Sequence, residues 1–498
     1  MSRRTKRSSR SGRRKPPASG RKPSTALSQR DVDMSADELV SYHRLFQPLF
    51  QRREQRQWSA FYLCGQLANL ERKTIEPMVL ALKGPDPNAM RAVQQFIGSA
   101  AWDVQPILEQ QQQLVAELLG EPEGVVIVDG SGFPKRGSHS VGVGHQYCGH
   151  VGKVANCQEG VFAVYVSTLG YTFLDGRLYL PEDWWGDDYR ERWQRCGIPD
   201  GMRFQTEPEL ALERVRGLAM RNVVPFRWVA ADEHFGQNPA FLDGVAALHK
   251  WYLAEVPADT RVWLRTPAVE LPGRGLFGRP RTRPRVARHA PRPAEMRELA
   301  ARLPKSAWSR RMIKEGSQGP LVAEFAVVRV TTVRDKLPGP RVWAVFRRSL
   351  GAQPEIKFYL SNAPTTCPQS ELVRLSGLRW PIETAIEEAK GEVGMDHYET
   401  RSWSGWHHHM VQTFLAHLFL MHLRLTFKKK PSTHYSTSAS TRGAGYRRRQ
   451  RPLARYPAHC PLPAAAQSRR LSLTSQTHSP TTSSAGFEAP QAQSLGVG

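Results

Sequence analysis

The feature that most constrains the fold is an apolar run that ends in an acid. Residues 125–128 read Val-Val-Ile-Val, and Asp129 follows them directly. A continuous β-branched run bounded by turn-forming residues is typical of a strand buried on both faces in a parallel or mixed sheet. Gly130, Gly132 and Pro134 come next, and they predict that the strand ends here. Asp129 would then lie where the strand leaves the core, a position that suits metal binding or proton transfer. An Asp-Gly hairpin turn is the alternative on this stretch alone.

A second acid is placed in the same way. The largely apolar run 226–231 ends at Asp232, and strand and helix patterns alternate through residues 121–270. Alternation of this kind predicts an α/β domain whose mixed sheet is covered by helices on both faces. The predicted strands are 125–128, 158–166, 178–180, 226–231 and 261–264, and the predicted helices are 207–221 and 239–250.

A third acid lies on a predicted helix much later in the chain. Glu383 follows a Trp-Pro pair, and proline is favoured in the first turn of a helix. Glu383 and Lys390 are nearly two turns apart, so both project from one face, and Arg379 just before the helix can point the same way. An acid flanked by two cations suits a group that holds a metal beside a phosphate backbone. Glu387 and Glu388 on the same helix are competing candidates.

Two aspartates at strand ends and a glutamate on a later helix are the groups needed for two-metal phosphodiester chemistry. Hard carboxylate oxygens hold two Mg²⁺ ions about 4 Å apart, one assisting the attacking water or 3′-hydroxyl and the other the leaving oxygen. Lys135 and Arg136, close behind Asp129, are candidates for holding phosphate, with a solvated loop as the alternative. A glycosidase with paired carboxylates is the rival enzyme. That reading gives no role to Arg379 and Lys390.

The net charge of +25 is concentrated at the two ends of the chain. Residues 1–30 contain eleven Lys or Arg and no acid, and residues 428–498 contain eleven against the single acid Glu488. We predict a disordered basic arm over 1–34 and a disordered basic tail over 428–498, each suited to a polyanion such as DNA or RNA. A solubilising role is the alternative. The abrupt change in composition after Lys430 is compatible both with a native tail and with a shifted reading frame.

Between these ends the periodicity predicts four segments. Residues 35–120 form a helical domain that begins with a capping box at Ser35 and serves either DNA contact or packing and dimerisation. Residues 121–266 form the first part of the α/β core, 267–361 a β-rich insertion, and 362–427 the helical end of the core. The insertion carries a basic loop whose Gly278-Arg279-Pro280 is similar to the core of a minor-groove-binding hook. The remaining predicted helices are 58–70, 75–82, 89–97, 104–119, 370–378, 382–391 and 406–427, and the remaining predicted strands are 321–333, 341–347 and 356–361.

Cysteine spacing and hydropathy argue against a zinc protein, a membrane protein and a secreted protein. The six cysteines are scattered without a Cys-x-x-Cys pair, which favours reduced thiols and offers no zinc site. No run of about eighteen apolar residues predicts a membrane span, and the basic start lacks the apolar segment of a secretory signal. We therefore expect a cytoplasmic protein. The run His407-His408-His409 and the pair Trp184-Trp185 are interpreted as packing or surface residues.

Several stretches resemble a known family. Four of them match DDE-type transposases of bacterial insertion sequences, in the branch with a β-rich insertion before the catalytic glutamate, similar to the insertion sequence 701 and insertion sequence 4 type families. The family's Tyr-x2-Arg-x3-Glu-x6-Lys signature matches at Arg379, Glu383 and Lys390, with Ser376 standing at the Tyr position. The resemblance covers roughly residues 45–427. The four matching stretches are 128–137, 152–161, 178–184 and 228–232.

The resemblance implies a fold, a site and an activity. It implies an RNase H-like catalytic domain with Asp129, Asp232 and Glu383 as the ligands of two Mg²⁺ ions, for which Mn²⁺ can substitute. It also implies cleavage of double-stranded DNA at the ends of the element, followed by attack of a 3′-hydroxyl on target DNA. The expected assembly is a homodimer that brings two ends together, and the expected location is the bacterial nucleoid. A decayed or repurposed transposase that only binds DNA is the alternative from another class.

Overall fold

The computed structural model describes residues 29–149, 151–271, 283–316, 319–351, 353–378 and 380–428. Most of the predicted basic arm, the Gly278-Arg279-Pro280 motif, Arg379 and the tail beyond residue 428 lie outside the described residues. The elements between Glu38 and Lys428 belong to one compact unit.

Within residues 29–124, which the structure describes, five α-helices precede the first strand, and four of them are those that the periodicity predicts. Asp86 caps the start of α4 by accepting hydrogen bonds from the backbone N–H groups of Asn88 and Ala89. Asp103 caps the start of α5 by accepting a hydrogen bond from the backbone N–H group of Gln105. Ser35, predicted as a helix start, lies inside α1, so that prediction is wrong. The helices are α1 (Gln29–Arg44), α2 (Arg53–Leu67), α3 (Ile75–Lys83), α4 (Pro87–Gly98) and α5 (Val104–Leu119).

A large mixed sheet follows, with helices interspersed along the chain. Beyond α5 the elements are β1 (Val125–Pro134), β2 (Gly144–Cys148), β3 (Lys153–Val166), β4 (Tyr171–Leu178), α6 (Arg190–Cys196), α7 (Glu207–Arg221), β5 (Trp228–Ala231), α8 (Glu233–Gly236), α9 (Pro239–Ala247), β6 (Trp251–Glu255), β7 (Arg261–Trp263), β8 (Val269–Glu270), β9 (Arg285–Val286), β10 (Ala294–Glu295), α10 (Met296–Arg302), β11 (Ser309–Gly316), β12 (Gly319–Arg334), β13 (Leu337–Arg348), β14 (Ile356–Ser361), α11 (Gln369–Ser376), α12 (Trp380–Val393) and α13 (Trp403–Lys428).

The strand order places β1 inside the sheet. The order is β10-β7-β12-β13-β14-β6-β5-β1-β3-β2, with β11 beside β12 and β4 beside β3. Strands β1, β5 and β6 are parallel to one another, whereas β3 is antiparallel to β1 and β14 is antiparallel to β6. The strands of the predicted β-rich insertion therefore continue the core sheet through the β14–β6 pairing. The α/β class with a mixed sheet is confirmed.

The predicted end of β1 after Asp129 is wrong. The antiparallel pairing with β3 runs without a break from Val125↔Val166 to Pro134↔Cys157, so Gly130 and Gly132 lie inside a strand. The Asp-Gly hairpin turn is excluded for the same reason. Glycine and proline predict turns when only local sequence is considered, but proline is also tolerated at strand ends and glycine where another chain segment packs closely.

Several other strands differ from the prediction. Strands β2 and β6 were not expected from the pattern, and the predicted strand 178–180 is instead β4, which ends at Leu178. The predicted helix 239–250 ends early, at Ala247, and His249 adopts a left-handed backbone conformation with φ of 56°. That short reversal turns the chain directly into β6. An interior strand of five residues so close behind a helix has too short a pattern to be told from the helix end.

Helix α13 is the centre of the helical layer. It packs against β4 of the sheet and against α2, α4, α5 and α12. His407, His408 and His409 are buried within it, and His408 stacks on Trp102 with ring centroids 3.8 Å apart. Their interpretation as helix-packing residues is confirmed, as is that of Trp184, which is buried. None of the helices within the described residues has the length and apolar character needed to span a membrane.

Candidate active site

The two aspartates are brought side by side by the register of β1 and β5. The parallel pairing of these strands ends at Val128↔Ala231, and the next residues are Asp129 and Asp232. Each carboxylate is oriented by a backbone N–H group. Asp129 Oδ1 accepts from Gly130 at 2.8 Å, and Asp232 Oδ1 accepts from Phe235 at 3.3 Å as the N-cap of α8. Two partly exposed carboxylates therefore share one edge of the parallel part of the sheet.

A small cavity of about 20 Å³ opens between these strands and the C-terminal helices. Its lining includes Asp129, Asp232, Ser376 at the end of α11 and Ile382 in the first turn of α12. Ser376 is buried and its hydroxyl donates to the Val373 carbonyl oxygen at 2.7 Å. The residue at the signature's Tyr position thus faces the site from inside the protein. The cavity has room for about one water-sized species.

A third strand contributes an acid that sequence reasoning missed. The β5–β6 pairing ends at Ala231↔Ala254, so Glu255 follows at the same level as Asp232, and it lines the same cavity. Its carboxylate is buried and forms an ion pair with Lys357 Nζ at 3.1 Å. The signal was present, because the run 251–254 ends in an acid as the runs before Asp129 and Asp232 do.

Helix α12 lies against this edge and carries Glu383 in its first turn. Its buried face, which includes Ile382, Ala385 and Ala389, packs toward β1, β3 and β4. Glu383 is exposed in the first turn. Among the residues that the structure describes, no three His, Cys, Asp or Glu side chains are close enough together to hold a metal ion. The structure therefore sets Asp129 beside Asp232 and places the helix that carries Glu383 against the same edge of the sheet.

Lys390 on the same helix contacts β1 just beyond Asp129. Its Nζ donates to the Gly132 carbonyl oxygen at 3.1 Å and lies 5.0 Å from the centre of the Phe133 ring. Burial lowers the pKa of this ammonium group, and the nearby carboxylates of Asp396 and Glu159 oppose that shift. Lys390 thus places a half-buried positive charge at the end of β1.

Lys135 and Arg136 lie directly after β1. Lys135 Nζ is 3.5 Å from the centre of the Tyr398 ring, a cation–π arrangement. Burial lowers the pKa of Lys135 to about 8, although the carboxylates of Asp396 and Glu399 act in the other direction. Arg136 is exposed. One of the two predicted phosphate-holding cations is therefore packed against an aromatic ring, and the other points into solvent.

The family model for DDE superfamily endonucleases matches residues 45–320, more than half of the chain. The chain belongs to this family. The match includes Asp129 and Asp232, and Glu383 lies beyond its end. The mixed sheet with helices is the RNase H-like fold expected for a DDE nuclease.

Two known proteins are similar to this DDE superfamily chain. A probable transposase for insertion sequence element IS701 of Microchaete diplosiphon is 24% identical over 334 residues, which is 66% of this chain and 73% of that protein. The crystal structure of the NurA nuclease from Sulfolobus solfataricus is 14% identical and covers 57% of this chain and 86% of its own, with a TM-score of 0.24. The second likeness is too weak to bear on fold or function.

A second acidic cluster, which the sequence pattern did not predict, lies beside Asp129 in this DDE superfamily chain. Glu159 on β3 is buried, and burial together with the Glu207 carboxylate raises its pKa to about 8, while Lys390 opposes the shift. The Oε2 atom of Glu207 lies 3.4 Å from His234 Nε2. Because Glu159 takes up a proton near neutral pH, the surroundings of Asp129 carry less negative charge than the number of acids implies.

Gly132 is required by the packing of this cluster. A Cβ atom at Gly132 would lie 2.5 Å from Cys148 Sγ and 2.8 Å from Glu159 Oε2, whereas one at Gly130 would be 3.3 Å from Glu159 Oε1. We expect Gly132→Ala to lower the free energy of unfolding by about 1–3 kcal/mol through overpacking. Gly130→Ala is the matched control and should cost less, as measured by urea unfolding of both variants. Equal stability of Gly132→Ala and wild type would contradict the close packing described here.

Proposed function

We propose that the chain is a transposase that cleaves the ends of an insertion sequence and joins them to target DNA. The observation that carries the proposal is the register that sets Asp129 and Asp232 side by side at one edge of the parallel strands, in a member of an endonuclease family. A similar protein is described as a probable transposase for an insertion sequence, which supports the same activity. The basic ends of the chain add an attraction for DNA.

The proposed metal ligands are Asp129, Asp232 and Glu383, and DDE endonucleases generally use divalent metal ions. The donor set fits Mg²⁺, because all three side chains offer hard carboxylate oxygens and no sulfur or imidazole is needed. When bound, Mg²⁺ or its substitute Mn²⁺ supplies Lewis acidity for the attacking and leaving oxygens. The backbone N–H groups of Gly130 and Phe235 hold the two aspartate carboxylates in fixed orientations beforehand. Glu383, which is exposed in the first turn of α12, is proposed to complete the set.

The chain's cations have a role beside these carboxylates. We assign Lys390, Lys135, Arg136 and Arg379 to the phosphates of double-stranded DNA, because the first three border the end of β1. In the first step, water attacks the phosphorus at the end of the element, the P–O3′ bond breaks, and a 3′-hydroxyl is released on the element. In the second step that hydroxyl attacks a target phosphate and displaces a target 3′-oxygen. Two ends must be held together, so a homodimer is proposed for the active complex.

A strand-transfer assay tests the proposal. A labelled duplex that carries the element's own end with a free 3′-hydroxyl is mixed with the protein, Mg²⁺ and a supercoiled plasmid. The label should become covalently attached to plasmid DNA. The same duplex ending in a dideoxynucleotide is the control and should give no joined product. Tight binding of the end without any joining would favour the alternative, a DNA-binding protein without catalytic activity.

The pKa of Lys135 predicts a pH dependence of DNA binding. Because this pKa is lowered to about 8, raising the pH from 7 to 9 removes the positive charge from Lys135 and weakens DNA binding. Lys135→Arg stays charged over this range, because the arginine pKa exceeds 12, and should bind DNA more tightly than wild type at pH 9. The slope of the wild-type affinity against salt concentration should also become shallower between pH 7 and 9, by the amount that corresponds to about one phosphate contact. Lys305→Arg, at an exposed lysine of the insertion, is the control, and an identical pH profile for wild type and Lys135→Arg would contradict the assignment.

A further inference from the structure

A partly buried ion pair ties α12 to the neighbouring helix and strand. Glu388 on α12 accepts a hydrogen bond from the Tyr171 hydroxyl of β4 at 3.0 Å. Arg424 of α13 lies within 2.9–3.0 Å of both Glu388 carboxylate oxygens. His417, also on α13, places its Nε2 3.5 Å from a Glu388 carboxylate oxygen. The Thr172 hydroxyl oxygen lies 3.1 Å from Nδ1 of the same ring. Glu388 is therefore bound from two separate elements at once.

The position of Glu388 on the helix shows what these contacts fix. It lies five residues after Glu383 and two before Lys390. At 3.6 residues per turn, the side chains of Glu383 and Glu388 point about 140° apart around the helix axis. Glu388 anchors the side that faces β4 and α13, and Glu383 extends from a different side. Because a helix moves as a rigid unit, fixing Glu388 sets the rotation of α12 and with it the direction of Glu383.

Most of the remaining contacts of α12 are apolar. Its buried face is made of small or apolar side chains such as Ala385 and Ala389, whose packing is non-directional. Lys390 adds one directional contact to Gly132. An ion pair with two oxygens and a tyrosine hydroxyl imposes direction as well as attraction. Breaking it leaves Arg424, which is only 29% exposed, without its partner.

We propose that Glu388 is the positioning residue that turns α12 so that Glu383 can reach the metal site at Asp129 and Asp232. This role rests on the proposed function, since it assigns Glu383 to the same site. It also separates the glutamates of this helix. Glu388 acts through Arg424 and Tyr171 and does not itself touch metal or DNA.

The chain offers a matched control for this role. Glu324 pairs with Arg348 on neighbouring strands of the insertion at 2.7 Å, and the two side chains are 25% and 30% exposed. The corresponding values for Glu388 and Arg424 are 22% and 29%. Glu324→Ala therefore removes an ion pair of similar burial from two strands of the insertion instead of from α12 and α13. A loss that is merely structural should be similar in Glu388→Ala and Glu324→Ala.

The test maps the metal site on the protein itself. Fe²⁺ replaces Mg²⁺ in the full-length protein, and ascorbate with peroxide then generates radicals that cut the backbone close to the bound ion. In wild type, cuts are expected near residues 129, 232 and 383. In Glu388→Ala the cut near 383 should fall at least several-fold relative to the other two, and in Glu324→Ala the three should keep their ratio. Cleavage by Glu388→Ala should show kcat lowered about 10- to 100-fold with DNA affinity retained.

The outcomes separate the two proposals. An unchanged cut ratio in Glu388→Ala overturns the positioning role and leaves the proposed function in place. Absence of cuts near 129 and 232 in wild type overturns the proposed metal site, and the positioning role with it. Glu388→Gln keeps an oxygen for Tyr171 and loses the charge for Arg424, and Tyr171→Phe removes one hydrogen bond. If Glu388→Ala fails to fold, intermediate ratios in these two variants support the role, and wild-type ratios in both overturn it.

Discussion

Asp129→Asn is expected to lower the rate of Mg²⁺-dependent DNA cleavage by about 10³-fold or more, because losing several kcal/mol of metal-borne transition-state stabilisation costs a factor of ten per 1.4 kcal/mol. The replacement is isosteric. Asparagine keeps an oxygen that can accept from the Gly130 N–H group, so β1 and its register with β5 should be preserved. Binding of the element's ends should remain close to the wild-type affinity, since the cations around the site are unchanged.

A control aspartate separates this effect from a general loss of charge. Asp243 forms an ion pair with Arg334 at 2.9 Å on a partly exposed surface. Asp243→Asn should cleave within about twofold of wild type, because partly exposed pairs of this kind contribute little. Cleavage and binding are measured together by gel assays on the same labelled duplex. Joint loss of binding and cleavage in Asp129→Asn would count against its assignment to the metal.

Glu383→Gln is expected to lower the rate of DNA cleavage by about 10³-fold, as Asp129→Asn does, if the Glu383 carboxylate completes the metal site. The side chain is exposed in the first turn of α12, so the substitution should leave the stability of the helix nearly unchanged. The apparent Mg²⁺ concentration needed for residual cleavage should rise. Cleavage at a series of Mg²⁺ concentrations measures both quantities.

The same helix supplies the control for Glu383. Glu387 lies one turn further along and is also exposed, whereas Glu388 is held by Arg424 and Tyr171. Glu387→Gln should therefore retain wild-type cleavage. Glu255→Gln tests the competing assignment, in which Glu255 and not Glu383 is the third carboxylate, because Glu255 also lines the cavity beside Asp129 and Asp232. Loss of cleavage in Glu255→Gln with retention in Glu383→Gln would place the third carboxylate on β6.

The placement of the two aspartates could be predicted from the sequence for a simple physical reason. Each follows a β-branched or apolar run long enough to be an interior strand, and the parallel pairing of these two runs ends just before both acids, although β1 itself continues to Pro134. The helical placement of Glu383 was also predictable, since Pro381 marks a first turn and α12 begins at Trp380. These are local signals. They depend on residues close together in the chain.

The parts that could not be predicted depend on residues far apart in the chain. Gly132 reads as a turn signal until Cys148 and Glu159 are seen to fill the space beside it. Glu388 resembles any exposed helix glutamate, and its partners Tyr171 and Arg424 are 217 and 36 residues away. The spacing of apolar residues predicts which face of a helix or strand is buried, but it does not predict which other element covers that face. Strand register and side-chain pairing therefore needed the structure.

We propose that this chain cleaves DNA with metal ions held by Asp129, Asp232 and Glu383. The most direct test is nicking of a labelled duplex that contains the element's own end, by wild type in Mg²⁺, in Mn²⁺ and in a chelator. We expect a nick at the end of the element, leaving a 3′-hydroxyl, with either ion and no nick in the chelator. Binding of the duplex without a nick under all three conditions would contradict this proposal and leave a non-catalytic DNA-binding protein.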